Sequence, residues 1–542
     1  MKKENMILWG LTVLFALLMS VPFIIPHTGF LALFGIVPLL CMERIADMMG
    51  KKRIWIYHYS AFVLWNAITT FWVCNATVGG GIFAVLANSL QMSLIFGLFR
   101  LSKRKFKGSL PYIFLAVAWI AWERFYFDAE ISWPWLVLGN SFARTIWAIQ
   151  WYEFTGTLGG SLWIWACNLG LFGLFVSISD GSISEWNRKA RIAALGGYAA
   201  ILILPFIASA ITGKEYKDAM TSEDMLDVLI IQPNIDPYNK FQAMTQAQQN
   251  GVLLSMAEKA MKGRKNDSTA SPLLIVAPET FTSDIICGEY SRSRTWKGFT
   301  SFLKEYPNTN LLFGASSYDY FESAERPSHT ARQLQDGRWV ESHNSALITD
   351  GTERTEIFHK SKLVVAVEMT PYPAIFCKID DLLGGVMGRC VGQDEISLLN
   401  VRTLDGENIP VGCAVCYESV YGEYYTDYIR KGARAMTIIT NDAWWGDTPG
   451  YKQHLSYASL RAIETRRAIA RCANTGISAI ISPSGEILQP TPWWEPAAIE
   501  GSIPLRDDVT FFVSHGDITG RICSFIFILL LLALAVRFVT RR

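Results

Sequence analysis

This chain has little charge. Only 18% of its 542 residues are Asp, Glu, Lys or Arg, and 49 basic against 48 acidic side chains leave a net charge of +1. That balance excludes a nucleic-acid binder driven by bulk electrostatics. There is no repeat of solenoid period and no low-complexity tract, which removes the array and linker architectures. With 51% hydrophobic and 13% aromatic residues, a disordered chain and a small disulfide-stapled module are also excluded. No A-x-A-like cleavage site follows the first apolar run, although Lys2 and Lys3 precede it. That run is therefore expected to stay as a span and not to be removed as a signal peptide.

The scarcity of charge is uneven. Charged residues number 25 among the first 213 positions and 72 among the other 329. The first stretch reads as membrane and the second as soluble. Apolar runs of bilayer length cover Met6–Ile25, Gly29–Cys41, Ile54–Cys74, Gly80–Phe99, Leu110–Phe125, Leu158–Ser179 and Ala193–Ile211, and an eighth covers Ile522–Val539. The second run, at 13 residues, reads as a short span or as a buried re-entrant piece. These runs predict a membrane domain over 1–213 with about seven helices, an extracytoplasmic domain over 214–520, and a C-terminal transmembrane helix over 521–542.

Orientation follows from the basic residues. One set of connecting segments holds 14 of them, including Arg44, Lys51, Lys52, Arg53, Arg100, Lys103 and Arg188, while the opposite set holds only Arg124 and Arg144. The amino terminus is thus expected in the cytoplasm and residues 214–520 outside it. The segment Asp128–Gly156 is rich in tryptophan: Trp133, Trp135, Trp147 and Trp151. It reads either as an interfacial aromatic belt or as a membrane-dipping arm that helps form a lipid portal.

In the soluble part apolar runs of strand length alternate with helical patterns. Leu226–Ile235, Ser271–Thr280, Asn310–Tyr318, Asn344–Thr349, Arg354–Val365, Ile409–Glu418, Ala435–Asn441 and Ile477–Pro483 read as strands. Lys240–Lys262, Arg292–Glu305, Glu423–Gly432 and Lys452–Cys472 read as helices. The alternation predicts a layered α/β domain. Cys413 and Cys416 form a C-x-x-C, but no second such pair or histidine pair completes a zinc site, so neither metal nor cofactor is expected. Residues three apart on a strand face opposite ways, which argues against a redox pair. Cys377 and Cys390 flank a glycine-rich loop, and in an oxidising compartment a disulfide between them is plausible.

Three segments place a reactive residue at or just beyond a strand end: Glu279 in A-P-E-T, Lys360 in H-K-S-K-L, and Cys416 in C-Y-E-S. Alone, each has an ordinary explanation: a solvated strand end, a surface lysine, a buried small hydrophobe. Together they resemble the nitrilase superfamily, whose members use a Glu–Lys–Cys triad in an αββα sandwich. With its spans, the whole chain resembles the membrane-embedded branch of that superfamily, the apolipoprotein N-acyltransferases. The likeness is carried by W-E-R at Trp122–Arg124, W-P-W-L at Trp133–Leu136, Q-P-N-I at Gln232–Ile235, N-S-A-L at Asn344–Leu347, Lys360 followed by Glu368, T-N-D-A-W-W-G-D at Thr440–Asp447, and the run Arg471–Ile487. Phe358 stands where that family usually has Tyr, and Met369–Glu395 fits its pattern poorly.

The resemblance implies a bacterial inner-membrane, multi-pass enzyme, with its catalytic domain on the extracytoplasmic face. It would move an acyl chain from a phospholipid, through a cysteine thioester, to the α-amino group of a diacylglyceryl-cysteine at a lipoprotein's amino terminus. Cys416 would be the nucleophile, Glu279 the base and Lys360 the oxyanion donor. Glu368 and Glu418 fall near the site by motif position, to orient Lys360 or as structural ion pairs. Tyr417, Trp444 and Trp445 would line the pocket or merely pack, and Phe241 falls where the family has an aromatic on a lid loop. Arg461, Glu464 and Arg466 read as structural ion pairing. The chemistry sets a requirement: moving a proton from a thiol at ~8.5 to a glutamate at ~4.3 costs about 5.7 kcal/mol. The implied partners are a phospholipid donor, an apolipoprotein acceptor and the bilayer, with no nucleic acid, and the chain is expected to be a monomer. The competing expectation is a membrane-tethered nitrilase-type amidase that uses water as acceptor.

Overall fold

The computed structural model describes residues 3–216, 219–238, 244–382 and 384–540. The chain divides into two compact units. One comprises Met1–Glu215, Thr448–Ser456 and His515–Arg542; the other comprises Tyr216–Asp447 and Tyr457–Ser514.

The first unit is helical. Among the described residues, six helical stretches are long and apolar enough to cross a membrane: Glu4–Ile24, Gly29–Met48, Val78–Ser102, Tyr152–Ser179, Arg188–Glu215 and Ile518–Val539. The helix Trp55–Thr70, at 16 residues, and the helix Leu110–Asp128, which carries Glu123, Arg124 and Asp128, complete the bundle. The short second apolar run extends to a 20-residue stretch, but it is broken. A 3-10 turn at Gly29–Leu31 and a helical turn at Ala32–Gly35 precede the helix Val37–Met48. Backbone groups exposed by a break must be satisfied inside the protein when no water is present. Asn168 does this. Its amide accepts from the Ile36 and Val37 N–H groups at 2.8 and 3.1 Å and donates to the Ala32 carbonyl at 2.8 Å.

The tryptophan-rich segment forms three 3-10 turns, Pro134–Leu136, Leu138–Phe142 and Ile146–Ala148. Trp135, Leu136, Val137, Leu138 and Phe142 are buried in the unit, while Trp147 is exposed. Glu123 accepts from the Leu138 N–H at 2.8 Å and from the Trp119 indole at 3.1 Å, so a buried carboxylate fastens this segment to its preceding helix. The Trp135 and Trp133 rings stack 5.1 Å apart, and the Trp135 indole donates to Gln453 at 2.7 Å.

The second unit holds two sheets. The first contains β1 (Met225–Gln232), β2 (Leu273–Val276), β3 (Thr282–Ile286), β4 (Thr309–Phe321), β5 (Arg332–Gln333), β6 (Trp339–Thr349) and β7 (Thr355–His359). The second contains β8 (Leu399–Arg402), β9 (Asn408–Val415), β10 (Ala435–Thr440), β11 (Ile469–Ala473), β12 (Ala479–Ile481) and β13 (Ile487–Leu488). A last strand, β14 (Ala497–Pro504), returns to pair with β1. The orders are β14-β1-β2-β4-β6-β5, with β3 on β4 and β7 on β6, and β13-β12-β11-β10-β9-β8. Strands β1, β2 and β4 run parallel, as do β9, β10 and β11. Such central strands are covered on both faces and carry continuous apolar runs: Leu273–Val276 and Ala435–Thr440 are buried throughout.

Helices Gln246–Ala260 and Arg294–Leu303 cover the first sheet. Leu253 and Ala257 lie four apart on one, and Trp296, Phe299 and Leu303 at helical spacing on the other; they meet Leu229, Ile231, Ile275, Leu311 and Phe313. The inner side of the first sheet meets the second, where Asn310 exchanges two 2.9 Å hydrogen bonds with the Arg402 backbone. The helix Gly422–Arg430 lies against β9, with the Tyr428 hydroxyl on the Cys413 carbonyl at 3.0 Å. The second unit is thus the expected nitrilase-like αββα sandwich, and the first is a helical membrane domain.

Two expectations are corrected. The helix expected over Lys452–Cys472 is Pro449–Thr465, because Arg466 adopts φ +50° and β11 starts at Ile469. Cys377 and Cys390 are not joined: Cys377 is buried on the helix Pro373–Leu382, whereas the Cys390 sulfur receives the Ser342 hydroxyl at 3.8 Å.

Candidate active site

In open parallel sheets, ligand-binding residues collect beyond the carboxyl ends of strands. Glu279 lies just past β2, Lys360 just past β7, Cys416 just past β9 and Asp442 just past β10. Each apolar strand ends in a turn that presents a polar residue.

Two turns carry unusual backbone. Cys416 has φ +52° and Thr280, next to Glu279, has φ +46°. Left-handed backbone costs a side-chain-bearing residue energy, so such positions persist only where neighbours hold them. Around Glu279 the holding is visible. The Gly314 N–H donates to the Pro278 carbonyl at 3.1 Å and the Phe281 N–H to the Gly314 carbonyl at 2.8 Å. A Cβ on Gly314 would lie 2.5 Å from the Glu279 Cα; only glycine lets β4 pass so close beneath the turn.

The charged centre is buried. Lys360 is 1% exposed and Glu279 7%. The Lys360 ammonium lies 3.2 Å from Glu279 and 3.0 Å from Glu368. Asn344, on β6, donates its side-chain amide to both carboxylates at 2.7 Å and accepts the Lys360 N–H on its backbone carbonyl at 2.8 Å. The other Glu279 oxygen receives the Asn441 N–H at 3.1 Å. Glu368 also receives the Val364 N–H at 2.7 Å.

Burial alone would strip Lys360 of its proton, but the charges of Glu279 and Glu368 outweigh it and hold its pKa well above the ordinary lysine range. For Cys416, burial and then the Glu279 charge push the thiol well above its usual value; Lys360 pulls the other way, Asp442 raises it further, and a hydrogen bond from the Thr440 side chain lowers it. At neutral pH the resting Lys360 is therefore an ammonium and the Cys416 thiol is neutral. Cys413, inside β9, has its thiol pushed up to about 12 by burial and is inert.

Glu418 sits behind this centre. It accepts from the Ser361 N–H at 2.7 Å, the Val415 N–H at 2.8 Å and the Tyr424 hydroxyl at 2.6 Å, joining the loop after Lys360 to the turn that holds Cys416. Burial raises its pKa despite those donors. Tyr417 is buried with its ring edge-on to Tyr421 at 5.2 Å, which is packing. Trp444 is 41% exposed and stands against Tyr238, ring centroids 5.1 Å apart, while Trp445 follows it in the same 3-10 turn. Phe241 lies outside the described residues. Asp442, buried, pairs with Arg471 at 2.7 Å and receives the Thr440 hydroxyl at 2.7 Å.

The sequence model for carbon-nitrogen hydrolases matches residues 230–507, which spans both sheets and every residue above. The chain belongs to the carbon-nitrogen hydrolase family. Its N-terminal part, residues 15–170, matches the model for the apolipoprotein N-acyltransferase N-terminal domain. Among curated proteins, the apolipoprotein N-acyltransferase of Chlorobaculum tepidum is 26% identical over 94% of this chain and 93% of its own length. That of Geobacter metallireducens is 24% identical over 95% and 92%.

Within this carbon-nitrogen hydrolase, Asn344 and the Asp442–Arg471 pair were not singled out as site residues from the sequence. N-S-A-L and N-D-A-W-W were visible as motifs, but only the pairing of strands brings Asn344 onto two carboxylates at once. As expected from their spacing, Arg461 and Glu464 form a buried ion pair at 2.9 Å, and Arg461 also caps the Val420 carbonyl at 2.9 Å. Arg466 instead donates to the Pro483 carbonyl and covers the Tyr216 ring.

Proposed function

We propose that this chain is an N-acyltransferase that carries an acyl group from a phospholipid to the α-amino group of a lipoprotein's N-terminal diacylglyceryl-cysteine. The observation that carries the proposal is the buried Glu279–Lys360–Glu368 network next to the Cys416 thiol, in a chain whose relatives match it across both units.

Glu279 takes the thiol proton as the sulfur attacks the ester carbonyl. The negative oxygen that forms accepts a hydrogen bond from the Lys360 ammonium, whose third N–H is not needed by Glu279 and Glu368. The tetrahedral species collapses to a thioester, and the departing lysophospholipid alkoxide takes the proton back from Glu279. In the second half the amine attacks the thioester, Glu279 takes its proton, and the cysteine leaves and is reprotonated. The scheme is ping-pong with an acyl-enzyme. Because burial and the neighbouring Glu279 charge raise the Cys416 thiol, thiolate forms only as the carbonyl is attacked, and Lys360 stabilises the charge at that moment. Glu368 and Asn344 hold Lys360 and Glu279 in register. The phospholipid and the apolipoprotein are the partners. The basic bias of one set of connecting segments supports an inner-membrane protein with residues 214–520 on the extracytoplasmic face.

The test is intact-mass analysis after incubation with phospholipid alone, wild type beside Cys416→Ala. The expected result is an acyl-sized, hydroxylamine-sensitive adduct that is absent from the variant and discharged by a diacylglyceryl-cysteine peptide. Protein that never acquires the adduct and never acylates the peptide would overturn the reading in favour of an amidase using water.

A further inference from the structure

The strands that carry Asn344 and lead to Lys360 hold a second cluster, on their opposite face. Side chains two apart on a strand share a face. Ser317 and Asp319 on β4, His343 and Ser345 on β6, and His359 on β7 fall together, with Ser317 opposite His343 and Ser345 opposite His359 in the register. Cys287, just past β3, donates its N–H to the Tyr318 carbonyl at 3.0 Å. Donor atoms of Cys287, His343 and His359 all lie within 4.8 Å of one another.

The hydrogen bonds of His343 make the cluster unusual. Its Nδ1 lies 2.9 Å from the Val391 carbonyl, which can only accept, so Nδ1 carries a proton. In the neutral ring Nε2 is then a lone pair, and it faces an Asp319 carboxylate oxygen at 3.0 Å. A proton on Nε2, or a metal ion in its place, reconciles the two acceptors. A backbone carbonyl fixing one imidazole nitrogen so that the other is presented outward is the usual support for a metal ligand. The His359 Nδ1 is likewise occupied, by the Ser345 hydroxyl at 2.7 Å, which leaves its Nε2 for a ligand.

We propose that Cys287, His343, His359 and Asp319 form a site for a borderline divalent cation, zinc first. One sulfur, two imidazole nitrogens and one carboxylate oxygen make a four-coordinate set that suits zinc. Ligand atoms around tetrahedral zinc lie ~3.3–3.8 Å apart at its usual bond lengths, so Cys287, His343 and His359, within 4.8 Å of one another, need draw in by at most about 1.5 Å, while the Asp319 oxygen, 3.0 Å from His343 Nε2, would open slightly. His343 is buried, while Asp319 is 38% exposed and opens the cluster to solvent. The bound ion would fasten the end of β3 to β4, β6 and β7. This goes beyond the acyltransferase reading and does not depend on it: C-x-x-C spacing did not reveal the site because its donors come from three separate strands and the turn after β3.

The test uses the full-length protein purified in detergent without chelator. Elemental analysis is expected to find about one zinc per chain, falling to background in His343→Ala and in Cys287→Ser. Cobalt titration of the metal-stripped wild type is expected to give the visible bands of a tetrahedral site and a near-ultraviolet thiolate-to-cobalt band, saturating at one equivalent. Loss of that band in Cys287→Ser, with Cys416→Ala unchanged, assigns the sulfur. A wild type that takes up neither metal would overturn the proposal and leave the His343–Asp319 contact as an imidazolium–carboxylate pair. A thiolate band that persists in Cys287→Ser would also overturn it.

Discussion

In the membrane unit the buried polar side chains are mainly neutral and close onto their own helices. Thr12 donates to the Leu8 carbonyl, Ser20 to Ala16 and Thr69 to Trp65, each four residues back. Its buried acidic residues include Glu43 and Glu123 in the last two turns of their helices, Glu153 in the first turn of Tyr152–Ser179 and Asp517 at the N-cap of Ile518–Val539, so all lie near helix ends. In the α/β unit buried charge is met by charge: Asp442 by Arg471, Glu464 by Arg461, and two carboxylates by the single Lys360. A bilayer offers no cheap place for an ion, so its polar groups are small and locally satisfied. A sandwich of sheets can bury ions at strand ends, where turns supply N–H groups. The first two pairs balance one to one. The third has an excess carboxylate and a thiol beside it, and that imbalance marks chemistry as distinct from scaffolding.

Breaking the imbalance should have the largest effect. Glu279→Gln is expected to lower acyl transfer about 10²–10⁴-fold, measured as peptide acylation in detergent, while the unfolding temperature stays near wild type. Lys360→Met, which removes the proposed oxyanion donor, is expected to cost about 10²–10³-fold. Breaking a balanced pair should act on stability first. Arg471→Met removes the buried countercharge of Asp442 and should destabilise the α/β unit by about 3–5 kcal/mol in a denaturation series. In the membrane unit, Asn168→Ala orphans the Ile36 and Val37 amides and should cost about 1–3 kcal/mol. Ser20→Ala removes a bond the helix does not need and should change stability by less than about 0.5 kcal/mol.

The pH dependence sharpens the same contrast. Because burial and the Glu279 charge raise the Cys416 thiol, the thiolate fraction at pH 8 is smaller than for an ordinary cysteine. Alkylation of Cys416 by iodoacetamide should therefore keep rising through pH 9. Glu279→Gln removes a charge that raises the thiol, so alkylation at pH 8 should become faster although transfer is lost. Lys360→Met should slow it. Time-resolved intact mass reads all three rates, and a wild-type plateau near pH 7 would contradict the neutral-thiol resting state.

Glu279, Lys360 and Cys416 were legible in the sequence because each interrupts or ends a strongly apolar strand run within a recognisable motif. The layered α/β class was legible for the same reason. What stayed hidden depends on through-space pairing or on backbone conformation. The αL turn at Arg466 ends a helix that the pattern carried to Cys472, and nothing in the side-chain order marks it. β14 lies some 265 residues from its partner β1, beyond the reach of local periodicity. The partners of the tryptophan-rich segment, Glu123 and Gln453, were not legible because composition reports polarity and not neighbours.

Gln453 also sets a timetable. It stands 318 residues from Trp135 and 381 from Trp72, its two indole donors. At a synthesis rate of about 5–20 residues per second, the ribosome needs roughly 15–80 s to bridge those separations. The segments that carry both tryptophans are therefore made long before their shared acceptor. The bundle cannot reach its final packing until most of the α/β unit has been synthesised. A ribosome that stalls in β10 would leave an enzyme unfinished in both halves, not a finished anchor carrying half an enzyme.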